Sequence, residues 1–207
     1  MKKIVLIILA IGLFSFMNIN SKEETKNQMK NQEFATFGGG CFWCTEAIFN
    51  ELEGIIKVES GYSGGETINP TYKDICTGAT GHAEVIHITF NSEKIHFSEL
   101  LDVFFATHNP TTLNRQGADV GTQYRSVVFY HNENQKVETE KFILNLEREN
   151  VFDDKIVTEI IKFDKFYKAE NYHQDYFNNN KNQGYCNMVI NPKLIKFRNQ
   201  FRDKLKK

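Results

Sequence analysis

Two periods of apolar positions run along this chain. Residues 83–90 and 126–131 are short runs of β-branched and aromatic side chains, the pattern of buried strands. Residues 55–61 and 155–163 predict two further strands, and residues 33–37 a short one that ends at Gly38-Gly39-Gly40. Helical spacing appears over residues 41–52, where Cys41, Cys44, Ile48 and Leu52 share one face and Gly54 supplies the stop. It recurs over 97–108, with Leu100, Leu101, Phe104 and Phe105 facing inward and Ser98 as a loose cap. A charged amphipathic helix is expected over 134–149. Pro192 opens a last, basic helix that turns Leu194, Phe197, Phe201 and Leu205 inward. Residues 62–81 and 109–123 carry neither period, and long stretches of this kind are often functional loops.

The resulting order, β-α-β then β-α-β, fits an α+β fold. The expected core is a ferredoxin-like split βαβ in two layers, with helices on one face of a mainly antiparallel sheet. Residues beyond 163 form a C-terminal extension around it. At 207 residues the chain is long enough for one domain with a proper core, expected over residues 33–207. Residues 22–32 are polar and aperiodic and read as a flexible linker. Before them, Lys2-Lys3 precedes an apolar run over residues 4–17. That run is shorter than the about 20 residues a membrane span needs. Residues 1–21 therefore read as a signal peptide, with an uncleaved N-terminal membrane anchor as the alternative. Either way the domain is expected to be exported and to work in the periplasm or another extracytoplasmic space.

Charge narrows the partners. With 25 Lys and Arg against 26 Asp and Glu, nothing points to nucleic acid, and a monomer is the default expectation.

Cysteines then become the candidate chemistry. Four stand at 41, 44, 76 and 186. In an exported chain two structural disulfides would be the ordinary reading. The setting of Cys41 argues otherwise, since Gly38-Gly39-Gly40-Cys41-Phe42-Trp43-Cys44 reads as a strand turning sharply into a helix. Amide N–H groups and the dipole at a helix N-terminus favour a thiolate, hence a nucleophile. The glycines do not make a dinucleotide loop, because Trp43 stands at the last glycine position, and no Gly-Lys-Ser/Thr follows. Cys41 and Cys44 also form a C-x-x-C pair. A thioredoxin-like dithiol, half of a zinc site, and a nucleophile with a resolving partner all fit that spacing. Cys44 alone also fits a small buried residue on the helix's core face.

Further polar, glycine-rich stretches add to this segment. They are Asn69-Pro70-Thr71-Tyr72, Gly81-His82-Ala83-Glu84 and Gly121-Thr122-Gln123-Tyr124-Arg125-Ser126, then Ala169-Glu170, Tyr172-His173-Gln174 and Gly184-Tyr185-Cys186. Together with Gly40-Cys41-Phe42-Trp43, in this order, they resemble the A-type peptide methionine sulfoxide reductases from about residue 34 to 186. The resemblance implies that Cys41 is the nucleophile and that Phe42 and Trp43 are the apolar walls for the substrate's S-methyl group. It implies that Glu84 protonates the sulfoxide oxygen, that Tyr72 and Tyr124 hydrogen-bond it, and that Asp119 is a carboxylate of the same site. Cys186 is implied as the resolving cysteine. The implied reaction is reduction of the S epimer of methionine sulfoxide, free or in proteins, through a sulfenic acid and an intramolecular disulfide. An external thioredoxin-like thiol reductant would recycle the enzyme, with no metal and no other cofactor.

The physical chemistry suits those roles. A sulfoxide is a poor electrophile until its oxygen is protonated, and a carboxylic acid with a raised pKa can supply that proton near neutral pH. Two phenols would stabilise the oxygen without adding net charge.

The chain departs from the family pattern in several places. Cys44 stands where Gly is usual, Gly117-Ala118-Asp119 replaces Gly-Asn-Asp, and His108-Asn109-Pro110 replaces His-Asp-Pro. The basic helix from Pro192 takes the place of a glycine-rich tail with a further cysteine. Cys44 is thus a second candidate for resolving Cys41. Side chains three apart on a helix have Cβ atoms about 5–6 Å apart, against about 3.5–4.5 Å in a disulfide. Two rival readings stay open. One is an exported thiol–disulfide oxidoreductase using Cys41 and Cys44; the other is a non-catalytic domain held by disulfides or zinc.

Overall fold

The computed structural model describes residues 31–206. The expected signal segment and nearly all of the expected linker lie outside the described residues. Residues Glu33–Lys207 make one compact unit.

The chain opens with β1 (Gln32–Gly39), α1 (Phe42–Phe49), β2 (Ile55–Ser63), a short α2 (Tyr72–Cys76), β3 (Ala83–Asn91) and α3 (Phe97–Thr107). A two-residue hairpin follows, β4 (Arg115–Gln116) with β5 (Asp119–Val120). Then come β6 (Ser126–Tyr130), α4 (Glu133–Arg148), β7 (Glu159–Lys162) and β8 (Phe166–Lys168). The chain ends with α5 (Tyr176–Asn179), a π-turn (Cys186–Ile190) and α6 (Asn191–Gln200). The main sheet has the order β7-β6-β1-β3-β2-β8. Its centre, β6-β1-β3-β2, is the ferredoxin-like arrangement that the β-α-β order predicts. β7 adds in parallel to β6, and β8 adds antiparallel to β2.

Alternation along the strands sorts the side chains between two faces. Ile86, Ile88 and Phe90 join Phe37, Val128 and Tyr62 in the main core under α1 and α3. Ala83, Val85, Val127 and Phe129 point the other way and pack beneath Ile161, Phe163 and Phe166. So the second face is partly covered too, by the β7–β8 turn. Glu84 has the parity of Ile86 and Ile88, which directs a carboxyl into the helix-covered side.

Helix limits match the expected ones to within a few residues, with physical reasons for the differences. α1 stops at Phe49, and Gly54 then turns with φ +86, a left-handed conformation that glycine adopts without strain. The cap of α3 is not Ser98, which lies inside the helix; His96 holds that place, and its N–H donates to Glu99 at 2.9 Å. α4 is capped by Asn132, whose side chain accepts from the Gln135 N–H at 3.0 Å. The long loop 62–81 contains α2, which the sequence pattern did not predict. A capping box between Thr71 and Asp74 starts it, a local device with no apolar period to announce it.

The C-terminal segment is tied to the end of α1. Lys206 N–H donates to the Glu51 carbonyl and Glu53 N–H to the Lys204 carbonyl, both at 2.8 Å. Arg198 grips the Glu51 carboxylate with two N–H groups. Leu194 and Phe197 are buried against the core, but α6 ends at Gln200, short of the expected helix: Phe201 is its C-cap and Leu205 lies beyond it, bridged to Leu52, both packing at the core's margin.

His108 is buried where α3 ends. Its Nδ1 meets the Phe104 carbonyl at 2.6 Å and its Nε2 the Ser126 hydroxyl at 2.7 Å, so the ring is a neutral Nδ1–H tautomer. Burial lowers its pKa to about 4. The unfolded chain therefore binds a proton at this residue between pH 6.5 and 4 that the folded chain does not. Stability is retained above that window and lost as pH falls through it, by up to about 3 kcal/mol from this residue. Burial also lowers His87 and His131, which share the Thr36 hydroxyl on the other face, and they act in the same direction. Denaturant unfolding is expected to show stability falling from pH 6.5 to 4, with a shallower fall in His108→Gln. An equally steep profile in that variant would refute the assignment.

Candidate active site

The site forms where β1 turns into α1. Gly40 has φ +90, and a Cβ there would lie 2.6 Å from the Gln116 side chain. A Cβ on Gly38 would strike Val127 at 2.8 Å. Only glycine permits both the turn and this close packing. The turn sets Cys41 at the N-cap of α1, as the sequence predicts.

One expectation fails here. The first free amide of α1, Phe42 N–H, does not serve the thiol; it donates to Glu84 Oε2 at 3.1 Å. Cys41 is almost wholly buried, and its pKa is raised well above the ordinary thiol value. Burial is the main cause, followed by Cys44 and the nearby Glu84 carboxyl. The anion-binding end of the helix is taken by a carboxyl, so the resting Cys41 is a thiol and not the stabilised thiolate that its helix position alone would suggest.

Glu84 stands on β3 and is 2 % exposed. Burial raises its pKa to about 8, with the bond from Phe42 N–H working in the opposite direction. At neutral pH it holds a proton. Tyr72 begins α2, and Tyr124 ends the turn Thr122–Tyr124. Both are half-buried, and burial first and Glu84 second push their phenols above the ordinary range, so both keep their O–H donors. Asp119 on β5 accepts a hydrogen bond from Tyr185 Oη at 3.1 Å. Phe42 is fully buried as a floor against Tyr62 and His173, and Trp43 is half-buried beside it. Tyr176 stacks on Trp43 at 3.6 Å, and Tyr185 meets its edge at 5.8 Å.

The structure thus gathers Cys41, Cys44, Glu84, Tyr72, Tyr124, Asp119, Phe42 and Trp43 around one point. All four cysteines are unbridged. Cys186, in the π-turn before α6, is completely buried. It lies close enough for the Cys44 charge to act on it. Cys76 is exposed, and it contributes to the raised pKa of the Tyr72 phenol.

Several residues hold this group in place whose roles the sequence did not disclose. Glu170 takes the Tyr62 hydroxyl at 3.0 Å and the Tyr72 N–H at 2.8 Å, which fixes the start of α2. His173 Nδ1 accepts from Trp43 Nε1 at 3.0 Å. Buried Arg125 spans the Gly81 and Thr122 carbonyls, each at 3.0 Å, and the Glu159 carboxylate at 3.1 Å. It thereby joins the loop that delivers Glu84 to the one that delivers Tyr124. Gln116 reaches back to both backbone groups of Asn109 and lies under Gly40. These residues stand in or beside polar motifs, but motif density cannot say which one meets which.

Among the described residues no group of three or more His, Cys, Asp or Glu side chains is arranged to hold a metal. A cavity of about 760 Å³ lies apart from this chemistry, between α3, α4 and α6, with Phe105, Phe142 and Phe197 in its walls. Gln116 and Lys193 also line it.

Comparison with known proteins agrees with this geometry. The family model for peptide methionine sulfoxide reductase matches residues 33–205. The peptide methionine sulfoxide reductase MsrA of Saccharolobus solfataricus is 53% identical over 174 residues, which cover 84% of this chain and 97% of that protein. Among solved structures, Mxr1 from Saccharomyces cerevisiae in reduced form superposes with a TM-score of 0.70 at 36% identity, covering 76% of this chain and 90% of that one. Mxr1 in complex with Trx2 superposes with a TM-score of 0.51 at 28% identity, covering 71% and 86%. The chain belongs to the peptide methionine sulfoxide reductase family.

Proposed function

We propose that this enzyme reduces the S epimer of methionine sulfoxide, free or in proteins, with Cys41 as the attacking thiol and Glu84 as the acid. The observation that carries the reading is the buried Glu84 carboxyl, which holds a proton at neutral pH and is bonded to the amide next to Cys41. Glu84 gives its proton to the sulfoxide oxygen, and Tyr72 and Tyr124 donate hydrogen bonds to that oxygen. The Cys41 sulfur attacks the substrate sulfur, and its thiol proton replaces the one Glu84 gave up. The substrate's S–O bond breaks as the oxygen passes with its proton to the Cys41 sulfur, so methionine leaves and Cys41 becomes a sulfenic acid. Phe42 and Trp43 form the apolar side that takes the S-methyl group, and Asp119 holds Tyr185 at the edge of Trp43. A second thiol, for which Cys186 and Cys44 are the candidates, condenses with the sulfenic acid to a disulfide.

A thioredoxin-like dithiol returns that disulfide to thiols. The yeast relative solved with Trx2 supports this choice of partner. The rival reading, a general thiol–disulfide oxidoreductase, has no task for a protonated buried carboxyl flanked by two phenols and is not favoured. The apolar run over residues 4–17 behind Lys2-Lys3 supports an exported enzyme, with an exported thioredoxin-like reductant to match.

With dithiothreitol and resolved epimers of a blocked methionine sulfoxide, wild type is expected to turn over the S epimer only, and Cys41→Ser neither. Turnover of the R epimer, or activity in Cys41→Ser, would refute the assignment.

A general acid titrating near 8 is protonated below that pH. The rate of methionine formation in a single turnover is therefore expected to drop as pH rises through about 8. Glu84→Gln is expected to lose about 10²-fold or more at pH 7 and to lose that alkaline limb. A variant within a few-fold of wild type would remove Glu84 from the role.

Fractionating cells that express the full chain is expected to place the protein outside the cytoplasm. Deleting residues 1–21 is expected to keep it inside; a wholly cytoplasmic full-length protein would overturn export.

A further inference from the structure

The reductase reading leaves open which thiol meets the Cys41 sulfenic acid, and this chain has an unusual answer available. Cys44 lies in the first turn of α1, with its N–H on the Cys41 carbonyl at 3.1 Å, and each thiol shifts the other's pKa. Tyr185 Oη stands 3.9 Å from Cys44 Sγ, and its own proton is given to Asp119. Lys193, just inside α6, adds a positive charge that acts on Cys44. Together, Cys41 and that charge outweigh burial and lower the Cys44 pKa to about 7.

Cys186 has none of these advantages. It is fully buried in the π-turn among the residues of the main core, and burial raises its pKa. Its titrating neighbour is Cys44. To reach Cys41 it would have to leave the core, and its chain neighbour Tyr185 would have to leave Asp119 and the edge of Trp43. Cys44 is three residues from Cys41 across the N-cap of α1, so joining the two sulfurs moves only the first turn of that helix.

We propose, on the basis of the reductase reading, that Cys44 is the thiol that resolves the Cys41 sulfenic acid, and that Cys186 is not required for that step. The Cys44 sulfur attacks the Cys41 sulfur. An S–S bond forms, the S–O bond breaks, and the hydroxyl leaves as water with the Cys44 proton. Cys41 and Cys44 end as the disulfide, two electrons having passed from the pair of thiols to the sulfoxide. The external dithiol then attacks at Cys41, the least buried of the three residues.

The test is one turnover of the full chain with methionine S-sulfoxide and no reductant. The mixture is quenched by thiol alkylation, methionine is counted, and the disulfide is mapped by peptide mass spectrometry. Wild type and Cys186→Ser are both expected to form methionine and a Cys41–Cys44 disulfide, with no sulfenic acid trapped by dimedone. Cys44→Ser is expected to form methionine but to keep a dimedone-reactive Cys41. A Cys41–Cys186 disulfide as the first species in wild type would overturn the proposal. So would a persistent sulfenic acid in Cys186→Ser. A wild type that makes no methionine would instead overturn the reductase reading itself.

Discussion

Everything in this site is arranged around one hydrogen bond, from the Phe42 amide at the start of α1 to the Glu84 carboxyl at 3.1 Å. Burying a carboxylate is costly unless its oxygens are well supplied with donors. Here one helix amide is the chief donor, too little to keep the group charged, and the carboxyl retains its proton to about pH 8. The same placement denies the amide to Cys41 and sets a potential negative charge beside it. Both the Glu84 carboxyl and the Cys41 thiol therefore rest in their protonated forms. A sulfoxide needs a proton on oxygen at the moment its sulfur is attacked, and this pair holds that proton in a buried site.

The scaffold explains why that bond can form. β1 and β3 are neighbours in the sheet, so the turn after β1 and the first residues of β3 meet at one end of it. Strand parity points Glu84 towards α1, and the glycine turn lets the start of α1 come close. The remaining functional groups come from loops, which are the parts of a fold least held by apolar packing. Polar staples hold them instead: Arg125 between two loops, Glu170 under α2, and His82 between the Gly65 N–H at 3.0 Å and the Thr67 carbonyl at 2.8 Å.

The C-terminal segment belongs to the same device. Its tail is fixed to the end of α1 by backbone bonds and by Arg198, and this settles where Tyr185 and Cys186 stand relative to the first turn. Tyr185 links Asp119, Trp43 and Cys44. Cys44 thus brings a thiol into a group whose other members are already held in place.

Much was legible in the sequence alone. Apolar periodicity predicted the main strands and helices and their order, because burial of a repeating face is a local property of the chain. Helix caps and ends were less legible, and α2, β4, β5 and β8 were not predicted, since two- to five-residue elements carry no period. Ordered motifs pointed to residues that the fold brings close together. Only the tertiary structure decided how they are arranged: that Glu84 takes the helix amide, that Cys41 rests as a thiol, and that Cys186 is buried within the range of the Cys44 charge. Each of these depends on burial and on distances between segments far apart in sequence, and a pKa or a disulfide partner is set by those distances and not by residue type.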